Sequence, residues 1–249
     1  MSPAHTLFVL GAGFLAGIIN TVAGAGSLLT FPALLAAGLA PLPANVSNCI
    51  GIIPGSISGA YGLRAELRGQ RRQLILLSTW IGVGSSVGAV LLLMAPSRAF
   101  SSVVPVLVGL AGLLVLLQPL VVRVARAGTT TAPRASGPVV GAIGIYSGYF
   151  GAAQGVLLIG ALGMLTSQPL RRINASKNVL AVTGNGVAGL IYVFFATVNW
   201  TATLLLSAGS VAGGPIGAAL ARRLPTTQLR IAVAMLALAV AVVLAVRTW

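Results

Sequence analysis

The stretch GIINTVAGAGSLLTFPALLAAGLAPLPANVSNCIGIIPG, residues 17–55, decides the fold. It is apolar enough for a bilayer interior, yet it does not read as one helix. Gly24-Ala25-Gly26 interrupts it with residues that tolerate helix-breaking dihedrals. Asn20, Thr21, Ser27, Asn45, Ser47 and Asn48 add amides and hydroxyls where lipid offers no hydrogen-bond partner. Broken helices at membrane depth survive only inside protein or beside a wet cavity. Residues 6–39 therefore read as a broken, re-entrant hairpin of two half-helices, followed by a span whose polar start faces the hairpin tip.

The same grammar recurs at a constant offset of 129 residues. Ala23 matches Ala152, Gly26 matches Gly155, and Leu28-Leu29 match Leu157-Leu158. Further on, Asn45 matches Asn174, Ser47 matches Ser176, and Gly55 matches Gly184. A second broken hairpin is thus expected over 138–166, at Gly151-Ala152-Ala153-Gln154-Gly155. The chain divides into repeats of 1–125 and 137–249. They are joined by a cytoplasmic linker at 126–136, which overlaps the only linker-like stretch, AGTTTAPRASG at 127–137.

Six further apolar runs reach the roughly 20 residues a crossing needs: 44–63, 74–95, 102–122, 176–197, 201–221 and 229–247. Composition agrees, with 57% hydrophobic residues, 6% charged residues and a mean hydropathy of +1.02. Soluble domains carry about 25% charged residues. The expected class is an all-α polytopic membrane protein with about eight membrane segments, each repeat a broken hairpin plus three transmembrane helices. Residues 1–20 lack the basic start of a secretory signal and read as a retained membrane segment.

Charge sets the orientation. Fifteen Lys and Arg face one acidic residue, Glu66. They cluster at Arg64, Arg68, Arg71 and Arg72; at Arg123, Arg126 and Arg134; at Arg171, Arg172 and Lys177; and at Arg222, Arg223 and Arg230. Short basic loops between apolar runs are cytoplasmic loops rather than a nucleic-acid face. All four clusters lie inside only if 138–166 starts and ends on one side, leaving Arg98 and Arg247 outside. A hairpin plus three crossings per half then gives the halves opposite orientation, the inverted-repeat design of many secondary transporters. Trp200 and Trp249 fall at outer ends. No charge ahead of Arg64 places the N-terminus.

The inventory excludes most chemistry. Cys49 and His5 are each alone, so a disulfide, a Cys- or His-ligated metal and a Ser-His-Asp triad find no partners. One carboxylate rules out paired-carboxylate catalysis and proton coupling through buried acids. TLFVLGAGFLAG, residues 6–17, imitates a dinucleotide turn but lacks the acid about 20 residues on. Gly13/Gly17, Gly51/Gly55/Gly59, Gly84/Gly88, Gly144/Gly148 and Gly209/Gly213/Gly217 have the small-xxx-small spacing of close helix packing. The two glycine breaks are different, because half-helix N-termini present free N–H groups to an anion. A kink filled by packing is the alternative there. Lys177, the only lysine, is either a site residue or part of an interfacial cluster that snorkels.

At the glycine break followed by Asn-x-Ser, the chain resembles the sulfite exporter TauE/SafE (TSUP) family. The second half echoes it as YSGYFGAAQGVLLIGAL, 146–162, then INASKNVLAVTGN, 173–185. Ala25 departs from the unbroken glycine run often found there. The resemblance implies a cytoplasmic-membrane protein that moves small sulfur-containing anions such as sulfite, thiosulfate or organosulfonates, with direction and substrate varying among members. The expected binding residues are Asn20, Gly24, Gly26, Ser27, Asn45, Ser47 and Asn48 from one half. Gly151, Gln154, Gly155, Asn174, Ser176, Lys177 and Asn178 come from the other. No cofactor, metal or nucleic acid is expected; the partners are the anion and the bilayer, with homo-oligomerisation open. A non-transporting membrane scaffold is the rival reading, and an enzyme is not expected.

Overall fold

In lipid the backbone must satisfy its own hydrogen bonds, and the chain does so with helices. The structure, a computed structural model, describes residues 3–127, 133–221 and 227–248. The linker centre 128–132, Arg222, Arg223 and Trp249 lie outside the described residues, as do the side chains of Arg126, Arg134, Arg230 and Arg247. Among the described residues there is no strand. The first half runs α1 (Pro3–Ala23), α2 (Ser27–Ala36), α3 (Pro41–Gly51), α4 (Ile53–Gly62), a 3-10 turn (Arg64–Leu67), α5 (Arg71–Met94), α6 (Ser97–Leu116) and α7 (Gln118–Ala127). The second runs α8 (Pro133–Tyr149), α9 (Gln154–Leu165), α10 (Leu170–Phe195), α11 (Trp200–Leu220) and α12 (Thr227–Thr248).

Both breaks fall at the glycine clusters, but the hairpin arms are unequal. α1 has 21 residues, about 31 Å at 1.5 Å per residue, enough for the whole hydrocarbon core. α2 has only 10. The expectation of two half-helices therefore gives way to a full-length arm and a short return, because nothing between Pro3 and Ala23 breaks the first arm. α1, α5, α6, α10 and α11 are long and apolar enough to cross a membrane. The 44–63 run is kinked: Pro54 has no N–H for the Ile50 carbonyl. Ile52 keeps helical dihedrals (φ −89°, ψ −12°), so α3 continues into α4. Pro119 similarly separates α6 from α7.

Packing exchanges partners between the halves. α1 lies along α11, and α8 lies along α5, while α6 pairs with α12. The register shows both exchanged pairs to be parallel. Gly13 abuts Leu206 and Gly17 abuts Ser210, with Gly217 against Ile18; likewise Gly144 abuts Ile81 and Gly148 abuts Ser85. Small residues let these backbones approach where lipid supplies no hydrophobic drive.

Burial is the reverse of a soluble protein's. Leu7, Ile75, Met94, Phe194, Phe195 and Leu204 are exposed, whereas Asn20, Asn45, Asn48, Lys177 and Asn178 are buried. Two basic clusters meet at one end of the bundle, where Arg172 Nε donates to Glu66 O (3.4 Å) and its guanidinium also reaches Arg68 O. Arg98 follows the far end of α5, beyond Met94. The chain thus has the helices of a multi-pass membrane protein.

Candidate functional site

Each broken helix ends in carbonyls without intrahelical donors, and each end is capped by the opposite half. Asn174 Nδ2 donates to Thr21 O at 3.2 Å, and its repeat counterpart Asn45 donates to Tyr149 O at 3.1 Å. Lys177, 1% exposed, donates through Nζ to Asn20 O (2.8 Å) and Thr21 O (3.3 Å). A cation at a helix C-terminus is favourable. Lys177 therefore neither snorkels to the interface nor sits free; it caps α1.

The turns after these ends use left-handed backbone. Gly24 has φ +75° and Gly151 φ +72°; Ala153, one repeat from Gly24, has φ +57° and is the only non-glycine with positive φ among the described residues. Holding alanine there costs about 1–2 kcal/mol, so the surrounding structure must impose it. The chain then enters α2 at Gly26 and α9 at Ala153, both without a side-chain cap. Gly26, Ser27, Ala153 and Gln154 are all buried. The two turns also touch. A Cβ built on Gly24 would lie 2.6 Å from Gly155 Cα and 3.1 Å from Lys177 Cδ. The contact leaves no room for even a methyl group between the tips.

Side-chain networks flank both tips. Asn20 Nδ2 donates to Ser56 Oγ (2.9 Å), while Gln154 Nε2 donates to Asn185 Oδ1 (3.0 Å) and Gln154 Oε1 accepts from Ser147 Oγ. Ser56 and Asn185 are 129 residues apart, so the offset could have found them; Thr30, which donates to Asn48 Oδ1, carries no such signal. Ser47 and Ser176 point elsewhere. Ser47 Oγ accepts from Asn199 N (3.0 Å) and Ser176 Oγ donates to Gln70 Oε1 (2.9 Å). Those partners are the N-cap residues of α11 and α5, again one offset apart. These serines tie the halves together rather than line the tips.

Among the described residues, four buried side-chain atoms have no partner: Asn45 Oδ1, Asn174 Oδ1, and both Nδ2 and Oδ1 of Asn178. An unpaired buried polar group costs about 1–3 kcal/mol, which water or a ligand would recover. Amide rotation cannot rescue the first two, since it would face an oxygen to the carbonyl now capped. Among the described residues no cluster of His, Cys, Asp and Glu could hold a metal. The available chemistry is uncharged donors and acceptors with one ammonium.

Broken helices whose buried ends are capped from the opposite half define a polytopic membrane protein built around two paired helix breaks. Consistently, the chain belongs to the sulfite exporter TauE/SafE family, whose sequence profile matches residues 9–244. It is 29% identical to the probable membrane transporter protein YfcA of Escherichia coli strain K12, over 88% of this chain and 82% of that protein. It is 26% identical to a probable membrane transporter protein of Haemophilus influenzae, over 83% and 81% respectively. A probable membrane transporter protein of Xylella fastidiosa is 27% identical, covering 100% of this chain and 98% of that one. No solved structure matches. The family is one of membrane transporters, so a small-molecule substrate and a lipid environment come with membership.

Proposed function

We propose that the protein is a secondary carrier, not an enzyme, that moves a small sulfur-containing anion such as sulfite, thiosulfate or an organosulfonate by alternating access. The carrying observation is the pair of buried helix N-termini, α2 and α9, that lack side-chain caps and meet at Gly24 and Gly155. Helix N-termini attract oxyanions through free N–H groups and dipole. In this reading Gly24, Gly26, Ser27, Gly151, Gln154 and Gly155 form the cradle. Asn178 supplies an unpaired amide, and Lys177 balances charge. Asn20, Asn45, Asn48 and Asn174 hold the tips, and Ser47 and Ser176 hold the spans. The halves 1–125 and 137–249, joined by 126–136, are an inverted repeat, a reading supported by the exchanged parallel pairs. The test is flux of labelled sulfite, thiosulfate and sulfonates in liposomes of verified insertion. Uptake of one that competes with the others is the expected result; no flux of any returns the chain to the scaffold reading.

A further inference from the structure

The repeat is even in its hydrogen bonds and uneven in its charge. Asn45 caps α8 as Asn174 caps α1, and each is followed three residues later, on the same helix face, by the residue that should complete the cap. In the second half that residue is Lys177, whose ammonium sits on Asn20 O and Thr21 O. In the first half it is Asn48, which is neutral and accepts from Thr30 through Oδ1. The C-terminal end of α1 therefore has a resident cation, and that of α8 has none.

The α8 end has what a cation needs. Tyr149 O takes one amide from Asn45 and, as a carbonyl, keeps a second lone pair. Asn45 is 2% exposed, and while its Nδ2 is engaged its Oδ1 has no partner. The negative end of the helix dipole adds to these oxygens. Tyr192 OH donates to the neighbouring Gly148 O, so the hydroxyl satisfies that carbonyl without supplying charge. Oxygen ligands at the end of a broken helix are the usual materials of transporter ion sites.

From this juxtaposition we infer that the α8 end, through Asn45 Oδ1 and the terminal carbonyls of α8, binds a sodium ion that is the mobile counterpart of Lys177 and the coupling ion of the carrier. The inference rests on the transporter reading for its role in coupling, but the binding event stands without substrate.

Thermal unfolding of the purified protein in detergent, with no anionic substrate, tests it in sodium, potassium and choline chloride at equal ionic strength. Sodium well above its Kd should raise Tm by on the order of 5 °C over choline. Asn45→Leu should remove that rise. Asn48→Lys, which supplies its own ammonium, should match the sodium-bound Tm in choline and respond to sodium no further. If Asn45→Leu fails to fold, Asn45→Asp replaces it and should lower the half-effective sodium concentration about tenfold or more. Equal Tm in sodium and choline, a rise of the same size in potassium, or an unmoved midpoint in Asn45→Asp overturns the inference. A sodium response without anion flux sinks the sulfur-anion reading alone; flux indifferent to sodium sinks this inference alone.

Discussion

Replacing Gly24 and Gly155 by alanine, singly, separates two effects that meet at the crossing of the tips. Gly155→Ala is purely steric: its φ is ordinary, and its new methyl would meet Gly24 O at 2.7 Å. Inserting a methyl into a packed contact costs about 1–3 kcal/mol. Gly24→Ala meets Gly155 Cα at 2.6 Å and also forces a side chain into φ +75°, adding about 1–2 kcal/mol. The expected losses are about 1–3 kcal/mol for Gly155→Ala and about 2–5 kcal/mol for Gly24→Ala. Reversible denaturant unfolding in a mild detergent, followed by tryptophan fluorescence, measures both. Because the neighbours at this point are backbone, neither clash is relieved by rotating a side chain. A Gly24→Ala protein as stable as the parent would refute the reasoning, since it would mean the tips neither touch nor hold Gly24 in the left-handed region.

Other consequences are narrower. Lys177→Met exchanges a buried ammonium for an apolar chain; the lost charge-assisted bonds, about 1.5–3 kcal/mol each, are set against a desolvation penalty of several kcal/mol that the ammonium no longer incurs. Tm should therefore move by only a few degrees while anion affinity falls roughly tenfold or more, and unchanged affinity by titration removes Lys177 from the site. Ala153→Gly relieves left-handed strain of about 1–2 kcal/mol against a glycine entropy cost of about 0.5–1 kcal/mol. Denaturant midpoints should rise slightly, and a clear fall would show that the alanine methyl is needed for packing. Cys49, the only cysteine, is buried with Sγ 3.7 Å from Asn185 O. Maleimide labelling in liposomes should be slow at rest and faster during transport, whereas fast labelling at rest would contradict the closed packing of α3 on α10.

Much of this frame was legible in the sequence because it depends on local rules. Glycine pairs broke the helices where expected, and hydropathy located α5, α6, α10 and α11. The 129-residue offset reaches further than the matches that first suggested it. It pairs Gly24 with Ala153 in conformation, Ser56 with Asn185 in role, and Gln70 with Asn199 as partners of Ser176 and Ser47. What stayed hidden was tertiary. An Asn-x-Ser segment looks the same whether its serine faces a ligand or caps a distant helix. Only the exchange of partners between halves showed Ser47 and Ser176 turned away from the tips. The kink at Ile52 was legible in Pro54 and was missed because a hydropathy window ignores missing donors.

Under the proposed alternating access, the choice of glycine where the tips cross follows from what that mechanism requires. A ligand can shift a conformational equilibrium only by its differential affinity for the two states. A contact that must part in each cycle therefore has to be weak. Two glycine backbones exchange only a few atom pairs at about 0.1–0.2 kcal/mol each, so separating Gly24 from Gly155 costs about 1 kcal/mol or less. A Leu pair in the same place would add about 1.5–3 kcal/mol of apolar burial per side chain, comparable with the whole binding energy available from a small anion. The strength is placed elsewhere: in the bonds from Asn45, Asn174 and Lys177 to carbonyls of the opposite half, which in the proposed cycle would keep each tip's helix end intact as the tips part. Glycine at the crossing and amides behind it thus divide the labour, one permitting separation and the other preserving the shape of what separates.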